Sequence, residues 1–361
     1  MQMSEKLPPS YFPALTGVRA MAAYMVCLFH FNPFTERIFG SRVHNFFNEF
    51  HVGVTIFFVL SGFLIAYRYF ERDKIDLGKY FLSRFIRIYP VYFILTTVVT
   101  IAYAISCRCQ SIETFLGVYF MNISFLRGFF SDFLFTGILQ GWSLTVEEMF
   151  YLTAPFSFML IKKRFSALIG IPLLLLLTGL GMCMAFKNVD FYGFFKDFDF
   201  MISYTFLGRS FEFFAGIGLA ILYLRRKHIE PKGSTQISLT YVGGVSIILC
   251  IFLISLFSGD QLGINHPIGK LLNNLFLPVL GVAVFFWGLI TEETLLSRFL
   301  STRVMVFLGK VSYAFYLIHI QVGSFEDNII FVTLVSIVLS IFIFKVIEEP
   351  LHNYLRRRWI Q

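Results

Sequence analysis

The chain has 361 residues, of which 57% are hydrophobic and 14% charged, where a soluble protein of ordinary composition carries about a quarter charged residues. That apolar excess recurs along the whole chain, which excludes a soluble globular protein and predicts an all-α, polytopic transmembrane bundle. The net charge of +8 does not call for nucleic acid, because Lys and Arg gather between the hydrophobic segments in the positive-inside pattern.

About ten spans are predicted, at 13–31, 51–70, 84–106, 143–161, 165–186, 204–224, 237–258, 271–290, 304–322 and 328–347. A weaker apolar stretch near 112–126 reads as re-entrant or interfacial. The N-terminus lacks the basic start, short apolar run and small-residue cleavage site of a signal peptide. A single membrane domain over 1–361 with no appended soluble domain is therefore expected. The basic clusters set the orientation. Arg68, Arg72, Lys74, Lys79, Arg84 and Arg87 lie around the second connection. Lys162–Arg164, then Arg225, Arg226, Lys227 and Lys232, then Arg298 and Arg303, and finally Arg356–Arg358 follow in every second connection, all on one side of the membrane, and the connections between are poorer in Lys and Arg. This alternation places both termini in the cytoplasm.

Span one carries Arg19 and His30, with no other charge between them. Eleven steps at about 100° each return His30 to within roughly 20° of Arg19, about 16 Å further along the axis. An ionisable group facing lipid costs at least ~2.5 kcal/mol, so two on one stripe predict a cavity or site. Arg19 falls towards the cytoplasm and His30 towards the outer side. Arg84 and Arg87 are expected to begin span three one turn apart. Span four brings Glu147 and Glu148 into its outer half, where their adjacency lets only one face the interior. Span six brings Arg209 and Glu212, three residues apart, either as an intrahelical ion pair or as site residues. Span nine ends at His319, with Ser312, Tyr313 and Tyr316 preceding it. The five cysteines, Cys27, Cys107, Cys109, Cys183 and Cys250, have no metal-ligand spacing, and no metal is predicted.

A histidine beside carboxylates suits proton removal from an attacking hydroxyl. An arginine pair suits a phosphorylated donor, because guanidinium binds phosphate through two parallel bonds. These pieces permit acyl transfer across the membrane, and they equally permit a proton-coupled transporter.

The chain resembles the acyltransferase 3 family of integral-membrane enzymes from end to end. The resemblance rests on LTGVRAMAAYMVCLFHF (15–31), GVTIFFVLSGFLI (53–65), FLSRFIRIYPVYF (81–93), WSLTVEEMFYL (142–152), FFAGIGLA (213–220), LGKVSYAFYLIHI (308–320) and IEEPLH (347–352), in this order and spacing. The family's Arg-x10-His signature falls on Arg19 and His30, its RxxR motif on Arg84 and Arg87, its WSLxxE glutamate on Glu147 and its terminal-span histidine on His319. The resemblance implies an O-acyltransferase of the bacterial inner membrane. It would move acetyl from acetyl-CoA to a hydroxyl of a cell-surface polysaccharide, lipopolysaccharide included, or a lipid-linked precursor. His30 and Glu147 would be catalytic. Arg19, Arg84 and Arg87 would hold the acyl-CoA, and Tyr313, Tyr316, His319 and Arg209 would place the acceptor. A succinyl donor, a small-molecule acceptor and a non-catalytic exporter remain as alternatives. The chain departs from the family pattern at Glu148, which follows the motif glutamate.

Overall fold

The computed structural model describes residues 11–106, 112–226, 238–259, 261–326 and 328–359. Cys107, Arg108, Cys109, Lys227 and Lys232 lie outside them. Among the described residues the chain is helical, and the one β-type contact is an isolated bridge between Phe130 and Phe194. Ten principal helices follow the predicted order. They are α1 (Pro13–His30), α2 (Gly53–Tyr69), α3 (Leu77–Ser106), α4 (Trp142–Lys163), α5 (Ala167–Phe186), α6 (Phe206–Arg226), α7 (Leu239–Ser255), α8 (Pro267–Thr291), α9 (Arg303–Gly323) and α10 (Ile329–Trp359).

Eight helical stretches among the described residues are long and apolar enough to cross a bilayer, against the ten spans expected. The stretch that includes α2 runs continuously from Ser41 to Tyr69, and the two helices that fall short are α1 and α7, at 18 and 17 residues. At 1.5 Å per residue they reach about 27 and 26 Å, less than the ~30 Å hydrocarbon core. Helix α1 also spends two of its positions on Arg19 and His30. The stretch expected to be re-entrant contains the 12-residue helix Ile112–Ile123, about 18 Å long and too short to span.

Helix α3 corrects one expected boundary. It starts at Leu77, where the Asp76 carboxylate accepts the Lys79 backbone N–H at 3.0 Å, an N-terminal cap. Arg84 and Arg87 therefore lie two turns inside the helix and do not begin it.

Helices α1, α2, α4, α6 and α9 surround the interior, and α2 packs on α6 along most of its length. Small residues allow the close crossing. A Cβ on Gly62 would lie 2.1 Å from the Phe213 carbonyl oxygen, and one on Gly216 would lie 2.0 Å from that of Val59. Both contacts are sterically impossible, so each backbone lies in the groove where the other helix lacks a side chain. In contrast, α5 and α10 are buried over only 11% and 22% of their apolar windows, and their Leu, Ile and Phe side chains face outward to lipid.

Two polar devices hold the connections. In the segment before α4, the fully buried Arg127 donates to Asn122 Oδ1 and to the carbonyls of Thr136 and Ile138. At the other end of the bundle, Glu292 accepts the Ser238 hydroxyl at 2.7 Å, the Leu239 N–H at 2.7 Å, and the Thr240 N–H and hydroxyl at 3.0 and 2.8 Å. These donors include N–H groups in the first turn of α7, which have no intrahelical partner. Partial burial pushes the Glu292 carboxyl up, but the four donors outweigh it and hold it below the ordinary carboxylate range.

Candidate active site

Two clusters divide the predicted site residues between the two ends of α1. Arg19, seven residues into α1, lines an internal cavity of about 50 Å³ together with Ser61, Ser143, Glu147, Tyr313 and Tyr316. Its Nε is buried with no hydrogen-bond partner, and no ion pair among the described residues includes it. Its charged surroundings are Arg87, Glu147 and Glu348.

Glu147 accepts hydrogen bonds from Ser61 Oγ at 2.6 Å and from the Tyr151 hydroxyl. Both fall on Oε1, so Oε2 is unbonded among the described residues. The structure therefore brings Glu147 to Arg19, Ser61 and Tyr151, in the middle of the bundle. It does not bring Glu147 to His30 at the outer depth expected from span counting. The reason is helical reach, because Ser61 sits two turns into α2 and draws its partner to the same level. Glu148, about 100° further round α4, lies within electrostatic range of Arg84 without pairing with it.

The RxxR pair stands at the Arg19 end of the bundle. Arg84 is half-buried over the Tyr151 ring at 5.8 Å, and Arg87 is exposed. No ion pair among the described residues engages either. Arg68 lies within electrostatic range of both, as does Glu348 of Arg87 and Arg19. Two guanidinium groups without a carboxylate partner, next to a third, fit the phosphates of a nucleotide-bearing donor.

His30 ends α1 and is exposed there. Its ring centroid is 5.4 Å from that of His319. His319 is fully buried, with Nδ1 at 2.9 Å from the Tyr316 carbonyl and 3.3 Å from that of Phe315. Carbonyl oxygens only accept, so Nδ1 carries the hydrogen and Nε2 presents a lone pair. That Nε2 is buried with no partner. His30 and His319 thus stand side by side at one end of the bundle, and the tautomer of His319 follows from the backbone of α9.

Tyr313 and Tyr316 line the cavity but are already engaged. The Tyr313 hydroxyl donates to the Ile88 carbonyl at 2.9 Å, fastening α9 to α3. The Tyr316 hydroxyl bonds Ser143 Oγ at 2.9 Å, fastening α9 to α4. Arg209 does not reach the cavity. Its Nε and Nη2 donate to Glu212 at 2.8 and 2.7 Å, Nη2 also to Thr55 at 3.1 Å, and Nη1 to the Ser203 carbonyl at 3.1 Å. The structure contains the buried intrahelical pair of Arg209 and Glu212.

Sequence patterning passed over several neighbours. Ser61 sits in the LSGFLI run and Glu348 in IEEPLH, both read only as parts of a pattern. Glu49 and His51, an E-x-H just before α2, are hydrogen-bonded at 2.7 Å beside Phe29, whose ring is 5.5 Å from His51 and 4.6 Å from His30. The signal available for that pair was an acidic residue and a histidine bracketing an apolar one at a span's start.

A family profile described as "Acyltransferase domain" matches residues 12–351. The peptidoglycan O-acetyltransferase OatA of Listeria monocytogenes is 27% identical over 386 residues, covering 98% of this chain and 58% of that protein. The O-acetyltransferase OatA of Staphylococcus aureus is 23% identical over 381 residues, covering 98% of this chain and 59% of that protein. The chain thus spans a little under three-fifths of the length of these curated relatives. No solved structure matches it.

Proposed function

The chain belongs to the acyltransferase domain family, and from that membership we propose that it is a multi-pass membrane O-acetyltransferase. It moves acetyl from acetyl-CoA at the cytoplasmic face to a hydroxyl of a cell-surface polysaccharide or its lipid-linked precursor. Ten spans with both termini in the cytoplasm belong to the same proposal, and they place the arginine end inside and the histidine end outside. The relatives named for O-acetyl transfer, one of them to peptidoglycan, support the acetyl group and the glycan.

One observation carries the reading. Along α1, Arg19 opens on a cavity with its Nε unpaired, while His30 stands beside the unpartnered Nε2 of His319. Arg84 and Arg87 bind the phosphates of the donor, and Arg19 draws the acyl end inward. The cavity of about 50 Å³ has room for a few waters, so entry of the acyl arm requires α9 to part from α2. Glu147, held by Ser61 and Tyr151, balances the charge of Arg19 while that happens. At the outer end His30 takes the proton of the acceptor hydroxyl. The hydroxyl oxygen attacks the thioester carbonyl, the C–O bond forms and the C–S bond breaks. The proton returns from His30 to the departing thiolate. His319 accepts a hydrogen bond at Nε2 from the acceptor or from His30 and so orders both.

The test is the purified chain in lipid nanodiscs with acetyl-CoA and a chito-oligosaccharide. CoA thiol release should accompany a gain of one acetyl mass on the glycan. His30→Ala at normal membrane abundance should lower transfer by about 10²–10⁴-fold, the usual contribution of a positioned base. Full transfer by that variant would remove His30 from the chemistry. Arg84→Ala and Arg87→Ala should weaken acetyl-CoA binding, and unchanged binding would leave them as topology anchors.

A further inference from the structure

A second and larger concavity lies at the histidine end of the bundle. It measures about 690 Å³, within the ~300–1,000 Å³ range of small-ligand sites. One wall comes from the segment between α1 and α2, the other from the segment between α7 and α8. Its lining includes the carboxamides of Asn45, Asn48, Gln261 and Asn265 and the hydroxyls of Ser41 and Ser258. Among the described residues its lining also includes Glu36 and His44 and no Lys or Arg.

Bonded groups hold both walls in place. Glu49, fully buried, accepts Ser258 Oγ at 2.7 Å and the Gly263 N–H at 2.6 Å while pairing with His51. It therefore joins the two walls beneath the cleft. On the α1 side, Asn32 donates to Asn48 Oδ1 at 2.7 Å and to the His44 carbonyl at 3.0 Å. His44 in turn contacts the Phe34 carbonyl at 2.8 Å and Asn48 Nδ2 at 3.0 Å. Asn32 is two residues beyond His30, and the Glu49–His51 pair meets Phe29 next to it. The cleft is thus tied to the end of α1 by hydrogen bonds through Asn32 and by the ring contact of His51 with Phe29.

The lining chemistry selects the ligand. A carboxamide offers two donors and an acceptor on one planar head, which matches a vicinal diol or an N-acetyl group. With no Lys or Arg among its described lining residues, the cleft lacks the charged donors that favour a phosphate over a neutral ligand. The carboxamides of Gln261 and Asn265 make no hydrogen bond to the described residues, and that of Asn45 reaches the Ser258 carbonyl only at 3.5 Å. Their polar groups are therefore available to a ligand.

We propose that this cleft is a binding subsite for an uncharged saccharide stretch of the acceptor, holding the glycan so that a hydroxyl reaches His30. The inference rests on the reading of the protein as a glycan O-acetyltransferase. Its test is direct binding, independent of transfer: chitotetraose titrated into the full chain in nanodiscs and followed by saturation-transfer NMR and calorimetry. Saturable binding that weakens at least tenfold in the Asn45→Ala/Gln261→Ala double variant, and that inorganic phosphate does not displace, is the expected result. Ser41→Trp, which fills the cleft from an exposed helical position, should abolish binding and decides the matter if the double variant is misfolded. Binding that both variants leave intact, binding displaced by phosphate, or no binding at all would overturn the subsite. Transfer failing in the wild-type chain while this binding persists would instead count against the transferase reading alone.

Discussion

Arg209 and Arg19 both sit inside this bundle, and their surroundings are opposite. Arg209 spends its guanidinium on Glu212, Thr55 and Ser203 and lies between the Phe58 and Trp142 rings at 5.4 and 6.0 Å. Arg19 has an orphaned Nε, no ion pair among the described residues, and a cavity in front of it. The same side chain therefore serves as a structural fastener in one place and as an unsatisfied charge in the other. Glu147 and Glu348 lie within electrostatic range of Arg19 without bonding it, and a buried cation held that way costs stability. An orphaned nitrogen alone does not mark the site, because Arg127 Nε lacks a partner too; Arg19 differs in facing a cavity.

The contrast can be broken from the Arg209 side first. Arg209→Met leaves Glu212 buried without its cation and should destabilise the protein by about 3–5 kcal/mol. Unfolding in detergent against temperature or denaturant measures it. Adding Glu212→Leu should recover most of the loss, because a pair replaced together leaves no orphan charge. If Arg209→Met folds normally yet loses transfer, the two arginines are not different in kind.

Arg19→Met should do the reverse. Transfer should fall by about 10²-fold, the scale of removing one preorganised electrostatic contact, with unfolding unchanged or shifted towards greater stability. A large drop in stability would make Arg19 a fastener as well. Within the same cavity, Tyr151→Phe removes one of the two donors that hold Glu147 Oε1. It should lower transfer by less than Arg19→Met, and an effect as large as that of Glu147→Gln would assign Tyr151 a role beyond orienting the carboxylate.

The smallest effect lies far from the site. Glu292→Ala should cost about 1 kcal/mol, the usual worth of a helix cap. The sign with pH follows from the depressed carboxyl. Its contribution is full above the ordinary carboxylate range near pH 4.3 and is lost as pH falls through its lower folded value. The difference between wild type and variant should therefore shrink in acid, and a difference that grows there would contradict the cap.

Much of this was legible in the chain. Periodicity placed Arg19 and His30 on one stripe of α1, and the cavity and the His319 contact lie at the two ends of that stripe. Helix order followed from hydropathy, because spanning segments must satisfy their backbone internally. The pairing of Glu147 was not legible. Counting residues from a span's edge estimates depth along one helix, but Glu147 meets Ser61 and Tyr151 through how α4 leans on α2. The start of α3 was hidden for a similar reason, since Asp76 and the basic residues after it are polar and hydropathy reads them as a loop.

By itself the sequence determined that the chain is a helical membrane protein, which residues are expensive to bury, and which of them share a helix face. Those properties depend on composition and on the 3.6-residue repeat, both local to the chain. Only the tertiary structure decided which expensive residues are compensated. Arg209 met Glu212 one turn away, but its other hydrogen bonds came from Thr55 and Ser203 elsewhere in the chain. The orphaned nitrogens of Arg19 and His319 and the junction made by Glu49 likewise depend on which neighbours close packing brings within about 3 Å, a distance no pattern along the chain encodes.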